Sequence, residues 1–97
     1  MTFILLTKFS PEISKQMKDR ARLGRKWLEQ GKEKCPEVKF IEHYALLGPY
    51  DFLDIYEAPD EKAAAKVSMI SLSNGAFEAQ SLTAIPYKEF LKLTEEI

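Results

Sequence analysis

Leu46–Asp60 reads LLGPYDFLDIYEAPD, and the fold turns on how that stretch is parsed. Gly48-Pro49 is a turn signal with an apolar run on each side. Before it, Val38–Leu47 reads as a strand; after it, Tyr50–Glu57 reads as a second. Ala58-Pro59-Asp60 stops that second strand, because proline removes a ladder donor and aspartate is a favoured helix N-cap. Strand, turn, strand and helix start all fall in one window, and no chemistry falls there with them.

On the first strand of this hairpin, alternation puts Phe40, Glu42, Tyr44 and Leu46 on one face and Ile41, His43, Ala45 and Leu47 on the other. On the second, Phe52, Asp54 and Tyr56 oppose Leu53 and Ile55. A tight two-residue turn pairs Leu47 with Tyr50 and sets His43 opposite Asp54, whereas a longer loop is free to slip that register. Downstream, Asp60–Leu72 reads as a helix rich in alanine, with Ala63, Val67 and Ile70 as its stripe and Ala64 and Leu72 nearby. Ser73-Asn74-Gly75 closes it, and Ala76–Ile85 reads as a strand ended by Pro86. Tyr87–Glu96 is a short helix with Phe90 and Leu93 on one side.

Upstream, Thr2–Phe9 is a β-run that is mostly apolar on both faces, so it expects cover on both sides. Ser10-Pro11-Glu12 opens a helix. Its stripe links Ile13, Met17, Ala21, Gly24, Trp27 and Leu28, and its end is expected near Gly31. Lys15, Lys18, Arg22, Arg25 and Lys26 lie largely off the stripe, as a solvated face.

The order is β-α-β-β-α-β with a terminal helix. Right-handed crossovers then give an α+β, ferredoxin-like antiparallel sheet with two helices on one face. The opposite sheet face is left apolar and uncovered, and a second copy packed sheet to sheet is its natural partner.

Ninety-seven residues make a single domain, 1–97, small enough to gain from a partner subunit. The net charge of −1 singles out no partner class. Ser14–Lys34 nevertheless carries eight basic residues against three acidic, and Glu37–Ile97 five against eleven. Two solvated faces of opposite sign account for this; a basic patch for an anion or acidic partner is the sharper alternative. Cys35 stands alone, Phe3–Leu6 is too short for the apolar core of a secretory leader and no basic segment precedes it, and no run approaches a membrane span, so a cytoplasmic location is expected.

One histidine and one cysteine do not make a metal cage, and no phosphate loop or dinucleotide fingerprint occurs, so neither metal nor cofactor is expected. The strands lack the basic-aromatic signature of an RNA-binding sheet, so nucleic acid is not an expected partner either. What remains is a polar set on the hairpin: His43, Asp54, Tyr44, Tyr56 and Asp51. A carboxylate beside His43 orients an imidazole for proton transfer, and His43, Asp54 and Tyr56 are therefore the catalytic candidates. A solvated or interface histidine is the simpler alternative. Asp51 is expected to accept backbone N–H bonds in the turn.

Gly48, Tyr50 and Asp51, followed by Ile55-Tyr56-Glu57-Ala58-Pro59-Asp60, resemble the GYD-domain family. Ala63–Ala65, Ser71–Gly75, Leu82-Thr83-Ala84 and Pro86–Phe90 extend the resemblance over nearly the whole chain. It implies a small cytosolic bacterial or archaeal protein of dimeric α/β-barrel type, with no established reaction and no agreed catalytic residues. Gly48, Tyr50 and Asp51 then stand as its ligand or turn motif. Asp54 departs from the usually apolar residue there, and the first helix is unusually basic. The expectation is a non-catalytic homo-oligomeric module that binds a small ligand or a partner protein. The alternative is a cofactor-free enzyme resembling the dimeric-barrel monooxygenases and isomerases, with a pocket between sheet and helices.

Overall fold

The computed structural model describes residues 1–14 and 17–97, with the backbone alone at Ile13 and Ser14. Lys15 of the basic face and the Ile13 side chain of the stripe thus lie outside the described residues. In chain order the elements are β1 (Thr2–Phe9), α1 (Pro11–Ser14), α2 (Met17–Lys34), β2 (Lys39–Ala45), β3 (Phe52–Glu57), α3 (Glu61–Ser73), β4 (Ala76–Ala84) and α4 (Tyr87–Glu95). The strands form one antiparallel sheet in the order β2-β3-β1-β4, the ferredoxin-like order expected from the pattern.

Period two decides which side of β1 and β3 is buried. Phe3, Leu5, Thr7 and Phe9, with Phe52, Asp54 and Tyr56, lie beneath the helices, while their alternates are only half-buried. Phe3 stacks on Tyr56 at 5.5 Å, and Trp27 meets Phe40 edge-on at 5.1 Å. Leu5 and Val67 are fully buried between them, each worth roughly 1.5–3 kcal/mol relative to exposure. On the opposite face the register lines up two cross-strand rows: Glu42, Ile55, Ile4 and Leu82 in one, Tyr44, Leu53, Leu6 and Gln80 in the next.

The hairpin departs from simple alternation. A bulge falls between Phe40 and Glu42, so Phe40 pairs with Tyr56 while His43 pairs with Asp54. The extra residue, Ile41, returns Phe40 and His43 to the same helix-facing side, which the alternating pattern had put on opposite sides. Packing drives the change: Phe40 fills the space between Trp27 and Tyr56. β2 ends at Ala45, and Leu47 and Tyr50 belong to the loop rather than to a ladder pair. Leu46 N–H donates to the Asp51 carbonyl at 2.8 Å, which closes that loop without disturbing the His43–Asp54 register. Gly48 sits in it at φ 142°, a backbone angle that side chains rarely adopt.

α2 runs past Gly31 to Lys34, and Cys35 N–H still donates to the Gly31 carbonyl at 2.9 Å. Gly31 is therefore not a helix terminator. A Cβ there would lie 2.8 Å from the tip of the Phe40 ring, so the glycine makes room for that ring against the helix. α3 begins as expected, with Ala63 N–H donating to the Asp60 carboxylate at 2.9 Å. It buries Ala63, Ala64, Val67 and Ser71, while Leu72 is exposed. Gly75 takes positive φ (96°) after it, and Asn74 does not. The Asn74 amide instead donates to Gln30 at 2.6 Å and to the Ile70 carbonyl at 2.8 Å, tying the end of α3 to α2.

α4 stands clear of the domain. It packs against no other element among the described residues, and Tyr87, Phe90, Leu91 and Leu93 are exposed along it. The radius of gyration is accordingly 14.5 Å, against about 12.5 Å for a compact chain of this length. Among the described residues no helix is long and apolar enough to cross a membrane.

Candidate functional site

α2 meets the sheet firmly along its C-terminal half and stands off it along its N-terminal half. Trp27 is buried on the sheet, whereas Met17, from the same stripe, is 63% exposed and Ala21 is exposed as well. The expectation that the whole stripe is core thus holds only for its later part. The physical reason is side-chain size. Ala21 and Gly24 on the helix face Ala45 and His43 on the hairpin, and none of these fills the space between them.

The result is an open groove of about 500 Å³. Met17, Ala21, Gly24 and Leu28 form one wall; His43, Ala45 and Phe52 form the other; Arg20 and Arg25 line it as well. Behind His43 lies a small chamber of about 20 Å³, room for roughly one water. Thr7, Asp54, Ser71 and Asn74 give it a polar lining, and Trp27, whose buried indole N–H has no partner among the described residues, borders it.

His43 is the fixed point of the groove. Its ring is stacked between Phe52, at 5.1 Å, and Trp27, at 6.0 Å. Its Nδ1 makes a short contact with Oδ1 of Asp54, which is only 3% exposed. That carboxylate raises the His43 pKa above its ordinary 6.5, by hydrogen bonding more than burial lowers it. Burial pushes the Asp54 carboxyl up in turn, and the bond to His43 offsets part of this. Nε2 of His43 has no hydrogen-bond partner among the described residues and lies 3.7 Å from where a Gly24 Cβ would stand. With Nδ1 committed to a carboxylate, Nε2 is the nitrogen left to meet a ligand or a proton.

The other candidates are placed elsewhere. Tyr56 shares the face of Asp54, but its hydroxyl bonds Ser81 at 2.7 Å and the Ala64 carbonyl at 3.4 Å beneath α3, and burial pushes its pKa up. Tyr44 pairs beside Leu53 on the opposite sheet face. Asp51 does accept a backbone bond, from Phe9 N–H at 2.7 Å. It also takes the guanidinium of Arg20 at 3.1 Å on its side chain and at 3.0 Å on its carbonyl. Gly48 is exposed, and Tyr50 half-buried, in the loop that leads to it. Cys35 is buried with a free thiol that burial shifts up, away from nucleophilic character.

Arg20 went unassigned from the sequence. It packs over the Phe52 ring at 5.3 Å and anchors the start of α2 to the hairpin loop, with its side chain 11% exposed. The signal was its spacing: Met17, Arg20, Gly24 and Trp27 follow steps of three and four, which put this arginine on the inner stripe and not on the solvated face.

The GYD domain family model matches residues 3–94. A Thermus thermophilus protein described as "Glutamine synthetase and cystathionine beta-lyase binding protein" is 31% identical over 91 residues, covering 93% of this chain and 94% of its own length. No solved structure gives a significant match. Across β1, the His43–Asp54 hairpin, the Asp51 loop, α3 and β4, the matched span takes in every element around the groove and most of α4, and the chain belongs to the GYD-domain family.

Proposed function

We propose that the chain is a non-catalytic, homo-oligomeric binding module of the cytoplasm that docks partner enzymes. The observation that carries this is the uncovered sheet face, with its rows of Ile4, Ile55 and Leu82 and of Leu6, Leu53 and Tyr44. A mostly apolar face of this kind, with Glu42 and Gln80 at the ends of its rows, favours a partner, and a second copy supplies the same face by two-fold symmetry. An interface of about 1,600 Å² is of the size that offsets the entropy of association when well packed. The apolar side of α4 lies free to reach across onto the second copy. Similarity to a protein described as binding glutamine synthetase and cystathionine beta-lyase supports the docking of enzymes. The buried free thiol of Cys35 is at home in a reducing cytoplasm.

Sedimentation at micromolar concentration tests the assembly. A dimer or larger species is expected, and Leu53→Lys should shift it towards monomer. A wild-type chain that sediments as a monomer overturns the reading. Co-sedimentation with a purified glutamine synthetase tests the docking.

A second reading, a cofactor-free enzyme using His43 as a general base, is favoured by the His43–Asp54 contact at the groove. Its mark is a pH-dependent turnover lost in both His43→Ala and Asp54→Asn. Turnover that survives either change removes it.

A further inference from the structure

The groove between α2 and the hairpin has a chemistry that the assembly reading leaves unused. Its walls are mostly apolar, from Met17, Ala21, Leu28, Ala45 and Phe52. Its volume, about 500 Å³, falls in the usual range of small-molecule sites. The charges along it are unequal. Arg20 is neutralised by Asp51, and His43 is paired with Asp54. Among the described residues Arg25 lines the same groove with no partner, and no carboxylate lines it. An apolar trough with one uncompensated guanidinium is complementary to a ligand with an apolar body and one negative charge.

We propose that this groove binds a free apolar monocarboxylate, a small alkyl or aryl acid. Its body lies along Met17, Leu28 and Phe52, and its carboxylate is met by Arg25 and by the Nε2–H of His43. A planar guanidinium suits a carboxylate better than any other anion of similar size except phosphate, and the apolar walls disfavour phosphate. The stacking of His43 between Phe52 and Trp27, with Asp54 behind it, holds the imidazole in place before any ligand arrives. Such preorganisation lowers the ordering cost of binding.

Nε2 donates only while the ring is protonated. With Nδ1–H turned to Asp54, the neutral ring presents a lone pair at Nε2 and repels a carboxylate. The charged groups facing the ring are Asp54 from β3 and Arg20 and Arg25 from α2. Affinity should therefore fall as pH rises through the His43 titration and not before. Gly24 opens the way to Nε2. A methyl there makes ordinary contact with it at 3.7 Å, covering the nitrogen without forcing the helix away.

The proposal goes beyond the assembly reading and is tested apart from it. The full chain is titrated with octanoate, octanol and octylamine, and the amide shifts of Gly24 and Ala45 and the imidazole shifts of His43 are followed. Octanoate should bind saturably, octanol about tenfold or more weakly, and octylamine not measurably. Arg25→Gln, an exposed change that leaves the fold intact, should weaken octanoate by about tenfold. Gly24→Ala should weaken it as well, and should remove the dependence of affinity on pH. Equal binding of octanol and octanoate overturns the proposal, because the charge is then not being read. So does octanoate affinity unchanged in Arg25→Gln or in Gly24→Ala, and so does the absence of saturable binding by all the probes.

Discussion

The two halves of α2 approach the sheet through glycine, and they do opposite things with it. At Gly31 the missing side chain lets the Phe40 ring come to 2.8 Å from where a Cβ would sit, and helix and strand lock together. At Gly24 the nearest atom to such a Cβ is Nε2 of His43 at 3.7 Å, and a groove opens alongside. A small residue on a helix stripe creates closeness only when the opposite residue is large and aimed into the gap. Phe40, turned inward by the bulge, meets that condition; Ala45 does not. The same pattern of small residues thus gives tight core at one end of a helix and an accessible trough at the other.

The contrast breaks most sharply at Gly31. Gly31→Val should destabilise the fold by about 3 kcal/mol through overpacking against a ring already held by Trp27 and Tyr56. Denaturant midpoints read it, and an unchanged midpoint means that Phe40 is free to move aside. The next largest effect should come from Asp51→Ala, which takes the carboxylate from Arg20 and from the Phe9 N–H together and leaves Arg20 only the backbone carbonyl of residue 51. About 2 kcal/mol is expected for losing a partly buried charged acceptor. Amide exchange should quicken in the N-terminal half of α2 and not in the half around Trp27 and Gly31; uniform quickening contradicts the two-halves description.

The third effect is a slope and not a step. The folded His43 pKa lies above the ordinary 6.5, so the stability it contributes is full below that value and is lost as pH rises through the higher folded value. Asp54, also raised, changes stability in the same direction, beginning from its ordinary 3.8. His43→Gln should flatten the upper part of the profile. A wild-type stability that climbs from neutral to alkaline pH would run against the His43 sign. The smallest effect sharpens the comparison from the other side: Gly24→Ala should stabilise the protein by about 0.5–1 kcal/mol, since the helix gains a better former and nothing is crowded. Thermal melts of the two glycine variants, run together, give opposite shifts if the halves differ as described.

Much of this architecture was legible in the chain. Alternation in Thr2–Phe9 and Phe52–Glu57, the Asp60 cap and the Gly-Pro turn were local signals, and local signals specify element type and order. The His43–Asp54 pairing matches the register that a tight turn would set, although the loop is longer than that turn and is closed by the Leu46–Asp51 backbone bond instead. The bulge at Ile41 was not legible, since an added residue in a strand leaves no mark in a pattern already mixed: Phe40-Ile41-Glu42-His43 supports either face. Gly31 was misjudged for a similar reason. A glycine near a helix end is most simply a terminator, and only the inward turn of Phe40, itself a product of the bulge, makes it a contact residue. A pocket between sheet and helices was expected only through the resemblance, and its place and lining were not legible, because absence of side-chain volume is a property of two facing surfaces and a sequence displays one at a time. Arg20 was within reach: its spacing from Met17 and Trp27 places it on the inner stripe, and it was assigned to neither face because a stripe is traced through apolar residues.

Ile41 makes β2 a strand of mixed parity. Counted from the loop, Ala45 and His43 fall on one side at even steps; counted from the other end, Phe40 falls there too, because one residue is skipped. Drawing that residue into the ladder instead of skipping it would leave a strand of single parity, able to satisfy only one of its two claims on the interior. Either Phe40 stays under Trp27 and the imidazole turns outward with its carboxylate stranded, or His43 keeps Asp54 and the ring beneath Gly31 is lost. The core and the groove, which share no side chain between Phe40 and Ala45, are therefore joined by a single inserted residue that belongs to neither.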